Sequence, residues 1–236
     1  MLKEAIILAG GQGTRLRSVI SDIPKPMAPI HNEPFLSYLL RQCDRNGINH
    51  VILSVGFKYE VIQARYADHF LGIKITYAIE DEQLGTGGGI QYALSYCESN
   101  DIVILNGDSY FDINFSVFTE LHLSNKSKFT MALKPMNNFD RYGSVVQENG
   151  IVQAFNEKEF CKSGLINTGI YCISKEDFLC IGFTRKFSFE QDFLSQFVNQ
   201  WKFLAHVEDA FFIDIGIPED YQSAQKSLPE LFKETS

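Results

Sequence analysis

Three glycines, an arginine and a lysine crowd one stretch near the start of the chain. It reads Ala9-Gly10-Gly11-Gln12-Gly13-Thr14-Arg15-Leu16 and, after a short interval, Pro24-Lys25-Pro26-Met27-Ala28-Pro29. Glycines let backbone approach a ligand closely and leave N–H groups free to point at oxygens. The planar guanidinium of Arg15 suits phosphate oxygens, and Lys25 adds a compact charge between two stiff prolines. The block follows an apolar run, Ala5-Ile6-Ile7-Leu8, that reads as a buried strand. A strand, a bare turn and two cations describe a cradle for a triphosphate.

Other glycine loops fit less well. Leu16 stands where a dinucleotide fingerprint wants glycine or alanine, and the strand candidate Val51–Val55 ends in Gly56 rather than in a ribose-binding acid. No Gly-Lys-Ser/Thr follows the first glycine as a Walker loop requires. The block instead resembles the signature of the sugar-phosphate nucleotidyltransferases, which make nucleotide sugars from a nucleoside triphosphate and a sugar 1-phosphate. The resemblance implies that Gly10, Gly11, Gly13, Thr14, Arg15 and Lys25 hold the nucleotide. Backbone of Leu8, Ala9 and Gly10 would close one side of the base, and Arg15 and Lys25 would act on the reacting phosphates.

Two acids complete that chemistry. Asp108 stands just past the apolar run Ile102–Leu105, and Asp214 stands within Phe211-Phe212-Ile213-Asp214-Ile215-Gly216. Alone, either aspartate would read as a turn or a cap. A triphosphate travels with magnesium, which takes one or two carboxylates besides phosphate oxygens. The resemblance implies that Asp108 and Asp214 bind Mg²⁺, with Asp108 also counted as catalytic. Ile217 departs slightly from the family, which often has threonine there.

The second half supplies candidates for the sugar phosphate: Arg141-Tyr142-Gly143, Phe155-Asn156-Glu157-Lys158 and Ile166-Asn167-Thr168-Gly169-Ile170-Tyr171. Glycine inside a strand often marks a close approach, and a buried asparagine needs partners. By resemblance, Gly143, Glu157, Lys158, Asn167 and Gly169 hold the sugar phosphate. Glu157 and Asn167 would meet hydroxyls, and Lys158 the phosphate. On the base side, Asp81-Glu82-Gln83-Leu84-Gly85-Thr86-Gly87-Gly88-Gly89 precedes a helix. Gln83 offers a donor and an acceptor to a base edge. Gly85, Thr86 and Gly88 are expected to leave room for a flat ring and expose N–H groups at the helix start.

The run from Thr14 to Pro29 has a narrower likeness, to the guanylyltransferases that act on D-glycero-α-D-manno-heptose 1-phosphate, and Leu84-Gly85-Thr86-Gly87-Gly88 looks like guanylyl and uridylyl members. This implies GTP and a heptose 1-phosphate as substrates, and a GDP-heptose destined for bacterial surface polysaccharide. The sugar phosphate is already ionised at neutral pH, so no general base is needed, and the motifs contain no conspicuous histidine. Other members of the family, acting on mannose 1-phosphate or using UTP, CTP or dTTP, remain alternatives. A nucleotide-sugar-dependent glycosyltransferase fits less well, since Asp108-Ser109-Tyr110 is not Asp-x-Asp and Lys25 would have no task. A non-catalytic sensor would have no use for Arg15, Lys25, Asp108 and Asp214 together.

The elements that must position these residues are legible as well. Apolar runs at Ala5–Leu8, Val51–Val55, Ile73–Ile79 and Ile102–Leu105 alternate with helix candidates Phe35–Asn46, Lys58–Phe70 and Thr86–Cys97. This βαβα order predicts a mostly parallel sheet covered on both faces. After Leu123 strand candidates dominate (Phe129–Leu133, Ser144–Gln147, Ile151–Phe155, Leu165–Ile173), with Asn149-Gly150 as a hairpin turn. Helices return at Phe189–Asn199 and Glu219–Ser227. The expectation is one α/β, Rossmann-like domain over residues 1–236. Residues 1–123 would mainly bind nucleotide, and 124–236 would add a smaller sugar-facing β layer to a mixed central sheet flanked by helices.

The chain has 236 residues, 45% hydrophobic and 21% charged, as in a globular protein. A net charge of −8 argues against nucleic acid as a partner. Five cysteines without a Cys-x-x-Cys pair argue against a disulfide framework or a zinc site. The short N-terminal apolar run is not a signal peptide, and no window is long enough to span a membrane. A cytoplasmic enzyme is expected. Homo-oligomerisation is left open.

Overall fold

The structure, a computed structural model, describes residues 2–11 and 23–233. The first half runs β1 (Glu4–Leu8), a 3₁₀ turn at Lys25–Met27, β2 (Pro29–Ile30), β3 (Glu33–Pro34), α1 (Phe35–Arg45), β4 (His50–Val55), α2 (Tyr59–Tyr66), β5 (His69–Phe70), β6 (Ile73–Ile79), α3 (Gly85–Leu94), β7 (Asp101–Asn106), β8 (Ser109–Phe111) and α4 (Phe115–Ser124). The second half continues with β9 (Phe129–Phe139), β10 (Gly143–Glu148), β11 (Ile151–Lys158), β12 (Cys161–Ser174), α5 (Lys175–Cys180), a π-helical stretch Phe189–Leu194, α6 (Ser195–Trp201), β13 (Leu204–Val207), β14 (Phe212–Asp214) and α7 (Pro218–Lys233).

Ten of these strands form one mixed sheet in the order β10-β11-β13-β9-β12-β7-β1-β4-β6-β5. The segment β7-β1-β4-β6 is parallel, as the alternating first half requires. β12 joins it antiparallel to β7 and carries the second half onto the same sheet. Two small antiparallel pairs stand apart, β14 with β8 and β2 with β3.

Strand periodicity explains how both faces are covered. Ala5, Ile7, Val51, Leu53, Val103 and Leu105 enter one core with Leu39 and Leu40 of α1, whereas Ile6, Ile52, Ile102 and Ile104 enter the other with Ile90 and Leu94 of α3. Successive side chains of a strand point to opposite faces, so uninterrupted apolar runs signal burial on both. The second core is rich in aromatics: Phe129, Phe178, Phe187, Phe189, Phe193 and Phe203 are all buried there.

Several elements differ from the pattern in the sequence. The helix expected over Lys58–Phe70 ends at Tyr66, because Ala67 turns to φ 47° and the chain reverses into β5. The helix expected from Phe189 begins as a π-helical stretch capped by Ser188, whose side chain accepts from Gln191 N–H. Helix α4 escaped the pattern, although Asn114 caps it by accepting from Ser116 and Val117 N–H. The hairpin turn is as expected, with Asn149 at φ 50° and Gly150 at φ 76°.

Candidate active site

In an open α/β sheet, ligands collect outside the carboxyl ends of strands where the strand order reverses. Here β1 lies between β4 on one side and the later β7 on the other. A cavity of about 560 Å³ opens at that point, lined by the ends of β1, β4, β6 and β7 and by the start of α3. The strand ends can approach because Gly107 lacks a side chain. Its N–H donates to Leu8 O at 3.0 Å, and a Cβ would stand 2.2 Å from that oxygen.

Lys25, Asp108 and Asp214 meet at one end of the site. The 3₁₀ turn, with Pro26 and Met27 buried, fixes the backbone of Lys25. Its Nζ donates to Asp108 Oδ2 at 2.6 Å and stands 3.9 Å from Asp214 Oδ1. Antiparallel pairing of β14 with β8 sets Asp214 opposite Ser109, and Ile215 N–H donates to Asp108 O at 2.9 Å. Gly216 N–H donates to Asp214 Oδ1 at 2.6 Å. Burial and the neighbouring Asp108 charge push the Asp214 carboxyl above the usual range, although Lys25 and Gly216 pull the other way. Two carboxylates thus face a single lysine. No group of three or more His, Cys, Asp or Glu suited to a metal occurs among the described residues. Two carboxylates beside phosphate oxygens are the donor set that Mg²⁺ takes.

Of the expected nucleotide residues, Leu8, Gly10, Gly11, Lys25, Gln83, Gly85 and Thr86 line this cavity together with Asp108. Ala9 is buried behind it, its N–H donating to Ser54 O at 2.8 Å. Gly13, Thr14 and Arg15 lie outside the described residues.

The glycines in the first turn of α3 require a correction. Gly87 and Gly88 do not present free N–H groups; both donate to Phe187 O, at 3.1 and 3.4 Å. A Cβ would stand 2.2 Å from the Phe187 ring at Gly87, 2.3 Å from Arg185 O at Gly88 and 2.5 Å from Phe187 O at Gly85. These positions admit the segment 185–187, and Gly88 is absent from the cavity wall. Thr86 ties the segment down further: its Oγ1 donates to Glu190 and accepts from Phe189 N–H.

On the sugar side, β12 bulges after Asn167, where its register against β9 jumps from Asn167↔Leu133 to Tyr171↔Met131. Gly169 at φ 82° makes the bulge possible, and a Cβ there would meet the Asn106 side chain at 2.5 Å. Asn106 itself lines the cavity. Asn167 has partners within its own strand, donating to Tyr171 Oη at 2.8 Å and accepting from Gly169 N–H. Gly143 pairs with Lys158 across the β10–β11 hairpin, and the Lys158 side chain is exposed. Glu157 belongs to β11, with its side chain outside the described set. A second cavity of about 330 Å³, lined by Arg141, Tyr142, Phe212, Asp214 and Asp220, adjoins the acid pair.

Sequence patterns missed part of the wall: Ser54, Glu80, Asn106, Lys186 and Glu190. The strand-end rule could have found Glu80 and Asn106, since one follows β6 and the other ends β7. Nothing local marks Lys186 and Glu190, which reach the cavity from the π-helical stretch and the segment before it, about a hundred residues after the start of α3.

Comparison with known proteins gives a consistent result. The Nucleotidyl transferase family matches residues 4–230. The D-glycero-α-D-manno-heptose 1-phosphate guanylyltransferase of Aneurinibacillus thermoaerophilus is 49% identical over 225 residues, covering 95% of this chain and 98% of that one. The enzyme of the same name from Campylobacter jejuni is 52% identical over 219 residues, covering 92% and 96%. A crystal structure of HddC from Yersinia pseudotuberculosis complexed with GMP-PN superposes with a TM-score of 0.85 at 38% identity, covering 95% of this chain and 99% of that one.

Proposed function

Since the chain belongs to the nucleotidyl transferase family, we propose that it transfers GMP from GTP to D-glycero-α-D-manno-heptose 1-phosphate, giving GDP-heptose and pyrophosphate. The observation that carries this reading is the identity of about half of all residues with two guanylyltransferases of that specificity, across nearly the full length of each chain. The Lys25–Asp108–Asp214 arrangement at the strand-order reversal suits the chemistry.

In this reaction an ionised oxygen of the sugar phosphate attacks the α-phosphorus in line. The new P–O bond forms as the bond to the β-phosphate oxygen breaks, and pyrophosphate leaves with the electron pair. No proton must be removed, so the protein works by positioning and charge neutralisation. Gly10 and Gly11 bring bare backbone to the nucleotide, and Lys25 places positive charge beside the reacting phosphates. Arg15 is assigned to the triphosphate by resemblance. Gly143, Glu157, Lys158, Asn167 and Gly169 are assigned to the sugar phosphate on the same ground.

Nucleotidyl transferases generally use a divalent metal. Asp108 and Asp214 would hold Mg²⁺, which supplies charge neutralisation to phosphate oxygens of both substrates. No helix among the described residues is long and apolar enough to cross a membrane. We place the reaction in the cytoplasm, where its nucleoside triphosphate is made.

The test is pyrophosphate release measured for GTP, UTP, CTP and dTTP against several sugar 1-phosphates. GTP with the heptose 1-phosphate should give the highest kcat/KM, with mannose 1-phosphate as the nearest competitor because it shares the ring stereochemistry. A pocket that hydrogen-bonds a hydroxyl rejects an analogue lacking it by up to roughly 10⁴-fold, and a solvent-facing hydroxyl gives far less. Equal turnover of mannose 1-phosphate would defeat the heptose assignment and leave the guanylyl one standing.

A further inference from the structure

We infer that the second cavity takes the two-carbon arm of the heptose, where the Arg141–Asp220 pair reads the vicinal diol. This rests on the reading of a heptose 1-phosphate as the substrate. The cavity holds about 330 Å³ and shares no lining residue with the larger one that gathers the nucleotide candidates. Asp214 lines it, with Oδ1 at 3.9 Å from Lys25 Nζ, so it opens beside the reacting phosphates. Sugar stereochemistry sends the arm there. In an α-pyranosyl phosphate, the carbon bearing the phosphate and the carbon bearing the arm both flank the ring oxygen. The arm therefore leaves the ring next to the phosphate, whereas O3 and O4 lie across the ring.

The pair is held in place from both sides. Arg141 donates to Asp220 Oδ2 at 2.7 Å, and its guanidinium stands 5.7 Å from the centroid of the Tyr142 ring. That ring in turn meets Phe212 edge-on at 5.8 Å. Asp220 belongs to the first turn of α7, a helix anchored to the segment after Lys25. Tyr221 Oη and Gln225 Nε2 both donate to Pro29 O. The ion pair therefore joins the turn between β9 and β10 to a fixed helix at the edge of the cavity. Met136 and Phe212 add apolar wall for the carbons of the arm.

Pairing leaves capacity on both partners. A guanidinium carries five N–H donors and a carboxylate accepts at both oxygens, so one contact between them saturates neither. A donor beside an acceptor complements a vicinal diol, in which each hydroxyl can donate and accept. The heptose arm ends in such a diol, whereas the arm of a hexose carries a single hydroxyl. Mannose 1-phosphate can thus satisfy one member of the pair and not both. Hydrogen bonds to charged groups are the stronger class, so the missing hydroxyl should be felt.

The test compares the heptose 1-phosphate with mannose 1-phosphate, GTP being the nucleotide for both. Wild type should favour the heptose in kcat/KM. Asp220→Ala should cut that preference by about tenfold or more, the scale of one hydrogen bond to a charged group, mainly through the heptose KM. Arg141→Leu should act in the same direction, with melting temperatures confirming intact folds. A preference unchanged in a folded variant of either residue overturns the inference, because a merely structural loss falls on both sugars alike. If neither variant folds, wild type decides with the heptose 1-phosphate inverted at the first carbon of the arm. That epimer should be poorer by about tenfold or more, and equal turnover overturns the assignment. A wild type that prefers mannose 1-phosphate defeats the heptose reading itself. Preference for the heptose with a ratio indifferent to Asp220 and Arg141 defeats only the role given to this cavity.

Discussion

Lys25 Nζ lies 2.6 Å from Asp108 Oδ2 although the two residues are 83 positions apart, and the lysine side chain is only 14% exposed. The pair ties the 3₁₀ turn after the glycine block to the end of β7, at the place where β14 brings Asp214. A cation and two acids are thus held against each other before any phosphate arrives.

Removing either acid should damage catalysis more than folding. Asp108→Asn and Asp214→Asn should each lower turnover by on the order of 10²–10³, the scale for losing one electrostatic stabiliser. EDTA should abolish pyrophosphate release and added Mg²⁺ restore it. Full activity of either variant at limiting Mg²⁺ would take that aspartate out of the metal site.

The two lysines should separate kinetically. Lys25→Ala is expected to lower kcat at saturating substrates, because its charge acts most on the transition state. Lys158, exposed at the end of β11, is expected to act on the sugar-phosphate KM when changed to Ala. A Lys25→Ala enzyme altered only in that KM would exchange the two roles.

Gly87→Ala should be destabilising without touching a substrate group. Its Cβ would collide with a Phe187 ring that is itself stacked on Phe183 at 4.2 Å between centroids, so the ring has little room to yield. Overpacking of this kind costs about 1–3 kcal/mol, and each kcal/mol lowers the melting temperature of a chain this size by about 2–4 °C. An unchanged melting temperature would mean that segment 185–187 does not clamp the start of α3.

Stability should depend on pH through Glu4, far from the site. Burial alone would raise its carboxyl, but hydrogen bonds from Ser99, Glu98 and His50 outweigh burial and hold it below the model-compound value of 4.5. A carboxylate depressed on folding stabilises above its unfolded pKa and loses that contribution as pH falls through the folded one. Glu4→Gln should therefore lower the melting temperature at pH 7, by about 4–8 °C for the loss of about 2 kcal/mol of charged hydrogen bonding. The gap to wild type should shrink progressively below pH 4.5. A gap of constant size down through that range would assign the loss to packing instead.

The sequence by itself determined the elements whose cause is local. Apolar runs marked β1, β4, β6 and β7, because strands buried on both faces have no polar positions to hide. Asn149-Gly150 marked its hairpin, because few residue pairs tolerate two positive φ angles. Residue type and strand-end position sufficed to nominate Gly10, Gly11, Lys25 and Asp108 together, and the four line one cavity. The tertiary structure decided what depends on distant partners. Only the pairing of β14 with β8 brings Asp214 to Lys25, and only the arrival of the segment 185–187 shows what packs against Gly87 and Gly88. Glu80 shows the same division. A charged residue after a strand is unremarkable in one dimension, and it becomes a fixed acceptor once Ser54, Leu84 and the bare faces of Gly10 and Gly89 surround it. Periodicity and propensity act over a few neighbouring residues, whereas contacts between segments a hundred residues apart are set by how the sheet orders its strands.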